Sequence, residues 1–317
     1  MKNTIQYELY IHVNGANPNG DPNNGGRPRL DNNGYGVICQ YCLKKKIRKA
    51  AEMIVKVYPD KYDPDKFGIF LSERDGLTKV EKTENEYKPV ETSQVEGKGG
   101  KNAKKDDKKN QKVWPVLRDK FWDLRVFGEL GNAFSGQSEQ VSCGVSVPEG
   151  RSIDTVEDKI TDIPFTSSVP HGVVKKGKGG ADGADNAEGD GEDGGKGEKV
   201  TGKMGTLSMV SNTLYKFLIS ISPSGCERNM VTDLDLELFE RALCNPFIDD
   251  LSNTRPSGTM SVAKLYKITH PSPLRTAASM TSATLGDDGK TYNYSIDTEM
   301  VEKRGCVIEE IDTIREY

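Results

Sequence analysis

Residues 4–51 read TIQYELYIHV NGANPNGDPNNGGRPRLDNNGYGV ICQYCLKKKIRKAA, and the three parts of this stretch decide the fold. Residues 4–13 alternate polar with apolar side chains, which predicts a β-strand with one face toward a core. The next segment is dense in Asn-Pro, Asn-Gly, Asp-Pro and Gly-Gly pairs, which are typical of a loop. Apolar residues then recur at helical spacing from about Ile38 to Tyr58, and Pro59 ends the helix. The sequence therefore begins with a strand, a loop and a helix.

The order of the later elements predicts the fold class. Thr232 and Asp235 have the spacing of a helix capping box. Without two insertions the whole chain follows a β-α-β-β-α-β order, which indicates an α+β protein with an RRM-like (ferredoxin-like) fold. This fold occurs in enzymes, RNA-binding proteins and scaffolds, so it does not decide function. The later elements are predicted as a helix at 115–127, strands at 140–148 and 151–156, a hairpin with arms at 162–169 and 204–210, a strand at 214–222, a helix at 232–251 and a strand at 258–268.

Composition separates packed from unpacked regions and reveals an uneven charge. The 317-residue chain is 34% hydrophobic and 29% charged, with a net charge of −4. Residues 97–112 hold seven lysines and residues 175–199 hold nine glycines, and we expect both segments to be disordered. Residues 1–60 carry nine Lys/Arg against five Asp/Glu, whereas residues 226–317 carry ten against sixteen. One basic and one acidic end suit a protein that binds a polyanion and docks head to tail on its own copies. Uneven charge without a function is the alternative.

Basic residues are concentrated in the first loop and the first helix. Arg27 and Arg29 lie beside glycines that allow another backbone to approach closely. Two cation pairs spaced four residues apart follow on neighbouring helix faces, Lys44 with Arg48 and Lys45 with Lys49. Cations one helical turn apart suit successive phosphates of a single strand. A solvated helix face is the other interpretation. The RNP1 pattern of ordinary RRMs is absent, so RNA would have to bind in another way.

The first loop and helix resemble the start of the Cas-seven family, the repeated backbone subunit of CRISPR Cascade, in its type I-C (Csd-two-like) form. That family opens with a strand, an N-P-N-G-D-P loop, a basic R-x-D element and a helix close to C-L-K-R-K-I-R. The corresponding residues here are 17–22, 29–31 and 42–48. Further matches follow in the same order at 122–128, at 150–154, between 202 and 217, and in the strand after 255–258. Each match alone is unspecific, whereas the ordered set from residue 5 to about 268 is specific.

The resemblance implies a hand-like protein with an RRM-like palm, an inserted finger region and a long β-hairpin thumb. The palm would grip the guide RNA backbone, and the thumb of one copy would wedge across the RNA on its neighbour. The implied divisions are palm at 1–59, 140–156 and 212–270, fingers at 60–139, thumb at 157–211 and a C-terminal extension at 271–317. The insertions at 97–112 and 175–199 match no family pattern.

The resemblance also implies site residues and partners. The candidate RNA-binding residues are Asn19, Gly20, Arg27, Arg29, Lys44, Lys45, Arg48 and Lys49. The candidate thumb wedge comprises Ile163, Phe165, Met204 and Met209. The expected partners are guide RNA (crRNA), the target DNA strand paired to it, further copies of this chain and other Cascade subunits.

Enzymatic interpretations rest on the aspartates of the first loop. Backbone subunits of type III effectors cut target RNA with a loop aspartate, and Asp21 or Asp31 would be the corresponding residue. Loop aspartates are also ordinary turn formers, and the whole pattern is that of type I, whose backbone subunits do not cut. We therefore expect a non-enzymatic protein without a cofactor. A generic ferredoxin-like interaction protein is the third possibility.

Metal sites and membrane segments are not expected from the sequence. Cys39 and Cys42 form a C-x-x-C without a second close pair, so we interpret them as ordinary thiols rather than zinc ligands. A calcium loop beginning at Asp21 would lack the glutamate at its twelfth position. Since no apolar stretch approaches the ~18 residues of a membrane span, we expect a cytoplasmic protein.

Overall fold

The computed structural model describes residues 2–71, 114–130, 140–141, 143–166, 204–274 and 276–313. Both predicted insertions, 97–112 and 175–199, lie outside these residues. The described strands are β1 (Ile5–Val13), β2 (Tyr35–Ile38), β3 (Glu129–Leu130), β4 (Gln140–Val141), β5 (Val145–Ser146), β6 (Gly150–Thr155), β7 (Ile160–Thr166), β8 (Met204–Val210), β9 (Thr213–Ile221), β10 (Met260–Thr269), β11 (Thr281–Leu285), β12 (Tyr292–Ile296) and β13 (Val307–Glu310). The described α-helices are α1 (Gln40–Val57), α2 (Trp114–Lys120), α3 (Trp122–Phe127), α4 (Pro223–Arg228), α5 (Asp233–Cys244) and α6 (Thr298–Arg304).

A seven-stranded antiparallel sheet organises this mixed α/β chain. Its strands lie in the order β13-β10-β1-β9-β6-β2, and β5 also pairs with β9. The predicted first strand is confirmed, and it lies between β10 and β9 along its whole length. Its two neighbours come from the second half of the chain. The sheet therefore joins residues that are far apart in sequence.

One face of the sheet packs against α1 and α5. The face predicted for the first strand is confirmed, because Tyr7, Leu9, Ile11 and Val13 belong to the main core cluster. The helices contribute apolar residues at intervals of three and four, the spacing that forms one helix face. The helix residues are Leu43, Ile47, Ala50 and Ala51 of α1 and Leu238, Phe239 and Ala242 of α5.

The other face of β1 is also buried, although alternation predicted only one core-facing side. Gln6, Glu8 and Tyr10 are fully buried and polar in character. The residues after β10 return over this face as the hairpin β11–β12, and Tyr10 packs at 5.4 Å from Tyr294 of β12. The polar residues that alternate along β1 therefore face the hairpin β11–β12 and form hydrogen bonds there, instead of facing solvent.

Two predicted helices have different bounds in the structure. The helix predicted over 115–127 is divided at Phe121, whose extended backbone forms a bridge with Gly68. The capping box at Thr232 is confirmed. The helix that it begins was predicted to reach about Leu251 but ends at Cys244, because the residue before Pro246 disfavours helical geometry.

The hairpin arms β7 and β8 form a separate two-stranded sheet. Their pairing runs from Ile160 with Val210 to Thr166 with Met204, so the first arm begins two positions before the predicted one. The predicted end of that arm, Val169, lies outside the described residues. Within the part of the chain that the structure describes, no helix has the length and apolar character that a membrane crossing requires.

Candidate nucleic-acid interface

The first loop is folded by its own hydrogen bonds. Asp21 accepts a hydrogen bond from the Asn23 amide and begins a short 3-10 turn. The turn ends at Gly25 and Gly26, whose φ angles of 58° and 79° are in the left-handed region that favours glycine. The chain then pairs back on itself through a bridge between Gly20 and Pro28. The sequence predicted a loop, and the structure places an ordered double turn there.

Two candidate residues of this loop have internal contacts. The Asn19 side-chain oxygen accepts a hydrogen bond from the Cys39 amide at 2.7 Å, so it fixes the loop to the start of α1. A side chain at Gly20 would crowd the Gly26 carbonyl oxygen, since its Cβ would lie 3.0 Å away. Asn17, which the sequence did not single out, donates to the same carbonyl at 2.8 Å. Asn17, Asn19 and Gly20 therefore shape the loop.

The loop arginines are paired with carboxylates at the surface. Arg27 Nη2 lies 3.2 Å from Asp162 Oδ2 of β7, and both side chains are about half exposed. Arg29 Nη2 lies 3.4 Å from Asp21 Oδ1. Arg27 is therefore open to solvent, whereas the Arg29 side chain is about one-third exposed and its Nε atom is buried.

The base of the hairpin adjoins the same loop. The amide of Gly15 donates to the Val210 carbonyl, and Ala16 forms a bridge with Val210. Asp162 accepts a hydrogen bond from the Ser208 hydroxyl at 2.6 Å while it pairs with Arg27. The first loop and the hairpin thus form one continuous surface.

The candidate wedge residues are on both arms of the hairpin, two on β7 and two on β8. Ile163 and Phe165 are 44% and 43% exposed, and directly paired residues of a ladder share a face. Because Thr161 pairs with Met209, the Met209 side chain is on the face of Ile163 and Phe165. Met204 pairs with Thr166 at the last described pair of the hairpin. The Phe165 ring covers its partner Gly205, where an added Cβ would lie 2.6 Å from the ring.

The candidate cations of α1 do not form one uniform row. The Arg48 guanidinium lies 2.9 Å from the buried Asp123 carboxylate and 5.0 Å from the Phe127 ring centroid. Lys44 is on the same side, with its ammonium 5.4 Å from that ring centroid. Arg48 is therefore mostly buried in an intramolecular pair, unlike the exposed residue that its helical spacing predicted.

The second cation pair of α1 has more access to solvent. Lys45 is exposed. Lys49 donates to the carbonyl oxygen of Asp249 at 2.6 Å. Lys46, which the sequence did not single out, is buried against Asp250, and burial lowers the pKa of its ammonium group. Lys45 and Lys49 thus remain nearer to solvent than Lys46.

The loop aspartates have structural partners. Asp31 accepts hydrogen bonds from the amides of Asn33 and Tyr35 at 2.8 and 3.0 Å. Its other oxygen lies 3.2 Å from Arg151 Nη1. Arg151 lies in a segment that matched the family pattern, but no local pattern indicated this contact across 120 positions.

The cysteines are the residues that the sequence offered as possible metal ligands. All six cysteines are free thiols, and Cys42 donates a hydrogen bond to the Pro18 carbonyl at 3.4 Å. Burial raises the pKa of the Cys42 thiol. Across the described residues, no three His, Cys, Asp or Glu side chains form a group that could hold a metal ion.

The seven-stranded antiparallel sheet, the first loop with its paired arginines and the adjoining hairpin define a mixed α/β protein. Residues 3–299 match the family of CRISPR-associated protein Cas7. The chain therefore belongs to the Cas7 family. A solved structure titled "CRISPR RNA-guided surveillance complex, pre-nicking" is similar over 84% of this chain and 78% of that chain, with 10% identity and a TM-score of 0.42. No curated protein matches the chain significantly.

Proposed function

We propose that this chain is the repeated crRNA-binding backbone subunit of a type I-C CRISPR Cascade complex. Its copies line up along the guide RNA and support pairing of the guide with target DNA. The observation that carries the proposal is the contact of the first loop with the hairpin, through Arg27 and Asp162 and through the bridge of Ala16 with Val210. The match of residues 3–299 to the Cas7 family supports it. Arg27 supplies an exposed guanidinium group and Arg29 a partly exposed one, and guanidinium groups bind phosphates well.

The proposed palm is supported by strand order. The strands β10, β1, β9 and β6 are consecutive neighbours, and α1 and α5 share one core with them. This is the arrangement expected of an RRM-like palm with residues 1–59, 140–156 and 212–270. The hairpin β11–β12 covers the second face of β1, so we place the RNA at the loop and hairpin rather than on the open sheet.

The proposed thumb is the hairpin built on β7 and β8. One of its faces meets Arg27 through Asp162, while the other presents Ile163 and Phe165 to solvent. An aromatic ring such as that of Phe165 can stack on an unpaired base, and an aliphatic side chain such as Ile163 can insert beside it. We therefore keep the wedge at Ile163, Phe165, Met204 and Met209. We assign the residues at 60–139 to the fingers.

We also propose that the chain does not cut RNA. A general base must have its carboxylate free to approach the hydroxyl that it activates. Asp21 caps a turn and pairs with Arg29, and Asp31 accepts two backbone hydrogen bonds and pairs with Arg151. We expect target RNA complementary to a bound guide to remain intact with magnesium or manganese. Regularly spaced fragments that disappear in Asp21→Ala or Asp31→Ala would instead support the type III-like function.

The test of the proposed function is stoichiometry on RNA. Purified chain is mixed with two single-stranded RNAs, one twice the length of the other, and the complexes are weighed by native mass spectrometry. A repeated backbone subunit doubles its copy number on the longer RNA. A single copy on both RNAs contradicts the repeated arrangement. Absence of any complex favours a generic ferredoxin-like interaction protein.

A further inference from the structure

Three surface arginines around the first loop are each held by an aspartate of the same chain. The pairs are Arg27 with Asp162 (3.2 Å), Arg29 with Asp21 (3.4 Å) and Arg151 with Asp31 (3.2 Å). Arg151 also lies 2.9 Å from Glu149. We call Arg27, Arg29 and Arg151 the arginine strip. Without RNA, its three positive charges face four carboxylates, so the strip offers no excess of positive charge.

Backbone pairing places Arg151 beside Arg29. The Val37 amide donates to the Arg29 carbonyl, and Val37 is the register partner of Arg151 between β2 and β6. Residues paired directly across antiparallel strands share a face, so Arg29 and Arg151 are on the same face, one on each side of Val37. Two strand spacings separate their backbones by roughly 10 Å. The two guanidinium groups can thus contact one extended strand of RNA.

The carboxylates of the strip are exchangeable partners. The side chains of Arg27 and Arg151 are 45% and 59% exposed, and exposed ion pairs contribute little net stability. A phosphate, like a carboxylate, has two acceptor oxygens that a planar guanidinium group can bind at the same time. An incoming phosphate can therefore replace an aspartate without disturbing the fold.

We propose that Arg151 is a third phosphate-binding residue and that guide phosphates displace Asp31, Asp21 and Asp162 from the arginine strip. The inference rests on the proposed function and adds a regulation to it. Each aspartate competes with RNA for one arginine, so a single phosphate gains little. A strand that engages all three arginines together displaces the carboxylates, which favours binding of a continuous guide over scattered contacts.

The first experiment measures the contribution of Arg151. Binding of a labelled single-stranded RNA is followed by fluorescence anisotropy at several salt concentrations. Arg151→Ala should lower the affinity roughly fivefold at 0.1 M salt and flatten the salt slope by about 0.7, the value for one phosphate on a single strand. Lys303→Ala, an equal charge loss on α6 near the opposite sheet edge, is the control and should change neither value.

The second experiment removes a competing carboxylate. Asp162→Asn keeps an acceptor for the Ser208 hydroxyl but releases Arg27, so RNA affinity should rise about two- to fivefold, the value of one exposed ion pair. Asp158→Asn removes the same charge from an exposed position in the preceding turn. An equal rise in both variants would show that net charge alone acts and would overturn the competition.

The failures of the two proposals are distinguishable. If wild-type protein binds no RNA, the proposed function fails. If wild-type protein binds and Arg151→Ala binds with the same affinity and salt slope, Arg151 is not a phosphate ligand and the inference is wrong. Thermal unfolding of each variant identifies a loss of binding that comes from misfolding, and Arg151→Lys, which keeps the charge, should then recover part of the affinity.

Discussion

Glu8 and Asp123 are carboxylates without exposed surface, and each accepts hydrogen bonds from backbone amides of a distant segment. Glu8 accepts from the amides of Met280 and Thr281 at 2.6 and 3.1 Å. Lys216 lies 2.6 Å from its other side as a counter-ion. Since a buried charge requires both a partner and hydrogen bonds, these contacts fix the C-terminal residues onto the sheet.

Glu8→Gln tests this anchor. The amide side chain brings donors where the site needs acceptors, and it leaves the Lys216 ammonium without its counter-ion. We expect a loss of about 3–5 kcal/mol in the free energy of unfolding, the range for breaking a buried pair. Urea denaturation followed by circular dichroism measures it. Glu310→Gln, which breaks the exposed pair with Lys264, should cost at most ~1 kcal/mol. Equal losses in the two variants would contradict an anchoring role.

At the scale of elements, α1 joins the folding core to the proposed RNA surface. Its buried side includes Arg48, which reaches Asp123 at the start of α3. The same carboxylate accepts hydrogen bonds from the amides of Phe70 and Leu71. Lys45 is exposed on another side. We therefore expect stability and RNA binding to depend on different cations of one helix.

Arg48→Ala and Lys45→Ala should separate these roles. Removal of Arg48 leaves the Asp123 charge buried without its ion-pair partner, so we expect a loss of about 3 kcal/mol in the free energy of unfolding. Lys45→Ala should change stability by less than ~0.5 kcal/mol, as surface substitutions do. If Lys45 holds a phosphate, the salt slope of RNA binding flattens by about 0.7. Denaturation and anisotropy on the same samples check both values, and a stable Arg48→Ala protein with weakened RNA binding would reverse the assignment.

The hairpin β7–β8 carries a further prediction. Phe165→Asp places a charge on the face that we assign to the wedge, so it should impair assembly of consecutive copies on RNA. Binding of a first copy should persist, because Arg27 and Arg29 are unchanged. Native mass spectrometry on the longer RNA measures the copy number. Thr284→Asp, at an exposed position of the separate hairpin β11–β12, is the control, and an equal defect in both variants would contradict a specific wedge face.

The sequence predicted elements whose signals are local. Alternation predicted β1, helical spacing predicted α1, and the spacing of Thr232 and Asp235 predicted the cap of α5. Contacts between distant residues could not be predicted, because no local pattern encodes them. The pair of Arg48 with Asp123 spans 75 positions, and helical spacing alone placed Arg48 among exposed cations.

The same limit applies to the covered second face of the sheet. The polar residues Gln6 and Glu8 obey the alternation of a solvent-facing side, and only the return of β11 over them explains their burial. In the candidate site, the loop arginines and the apolar hairpin residues could be selected from sequence. Their carboxylate partners could not, because each is distant in sequence or is a loop residue without a local signal.

At the scale of the whole molecule, buried tyrosines on both faces of the sheet make the folding stability depend on pH. Burial raises the pKa of Tyr7 on the helix side and of Tyr10 under the C-terminal hairpin, and it raises the pKa of Tyr294 to about 12. In the unfolded chain these phenols ionise near pH 10. The folded state retains their protons at higher pH, so the unfolded state binds fewer protons there and stability falls.

We therefore expect the contribution of the buried tyrosines to the free energy of unfolding to be complete below about pH 10. Above that pH the contribution should decrease progressively. Urea denaturation between pH 8 and pH 12, with absorbance at 295 nm to follow phenolate formation, measures this dependence. The buried tyrosines should ionise together with unfolding. Their ionisation before unfolding, at about pH 10, would contradict their burial.

The central position of β1 has a consequence for synthesis. A ribosome makes residues 5–13 well before their two neighbours in the sheet, which are residues 213–221 and 260–269. β1 therefore has no hydrogen-bonding partners in the sheet until those two segments have been made. Long-range pairing of this kind makes folding slow and exposes an incomplete sheet to aggregation. A nascent chain that stops before residue 260 has no second neighbour for β1. Pairing of residues 5–13 on both sides therefore requires synthesis of residues 260–269.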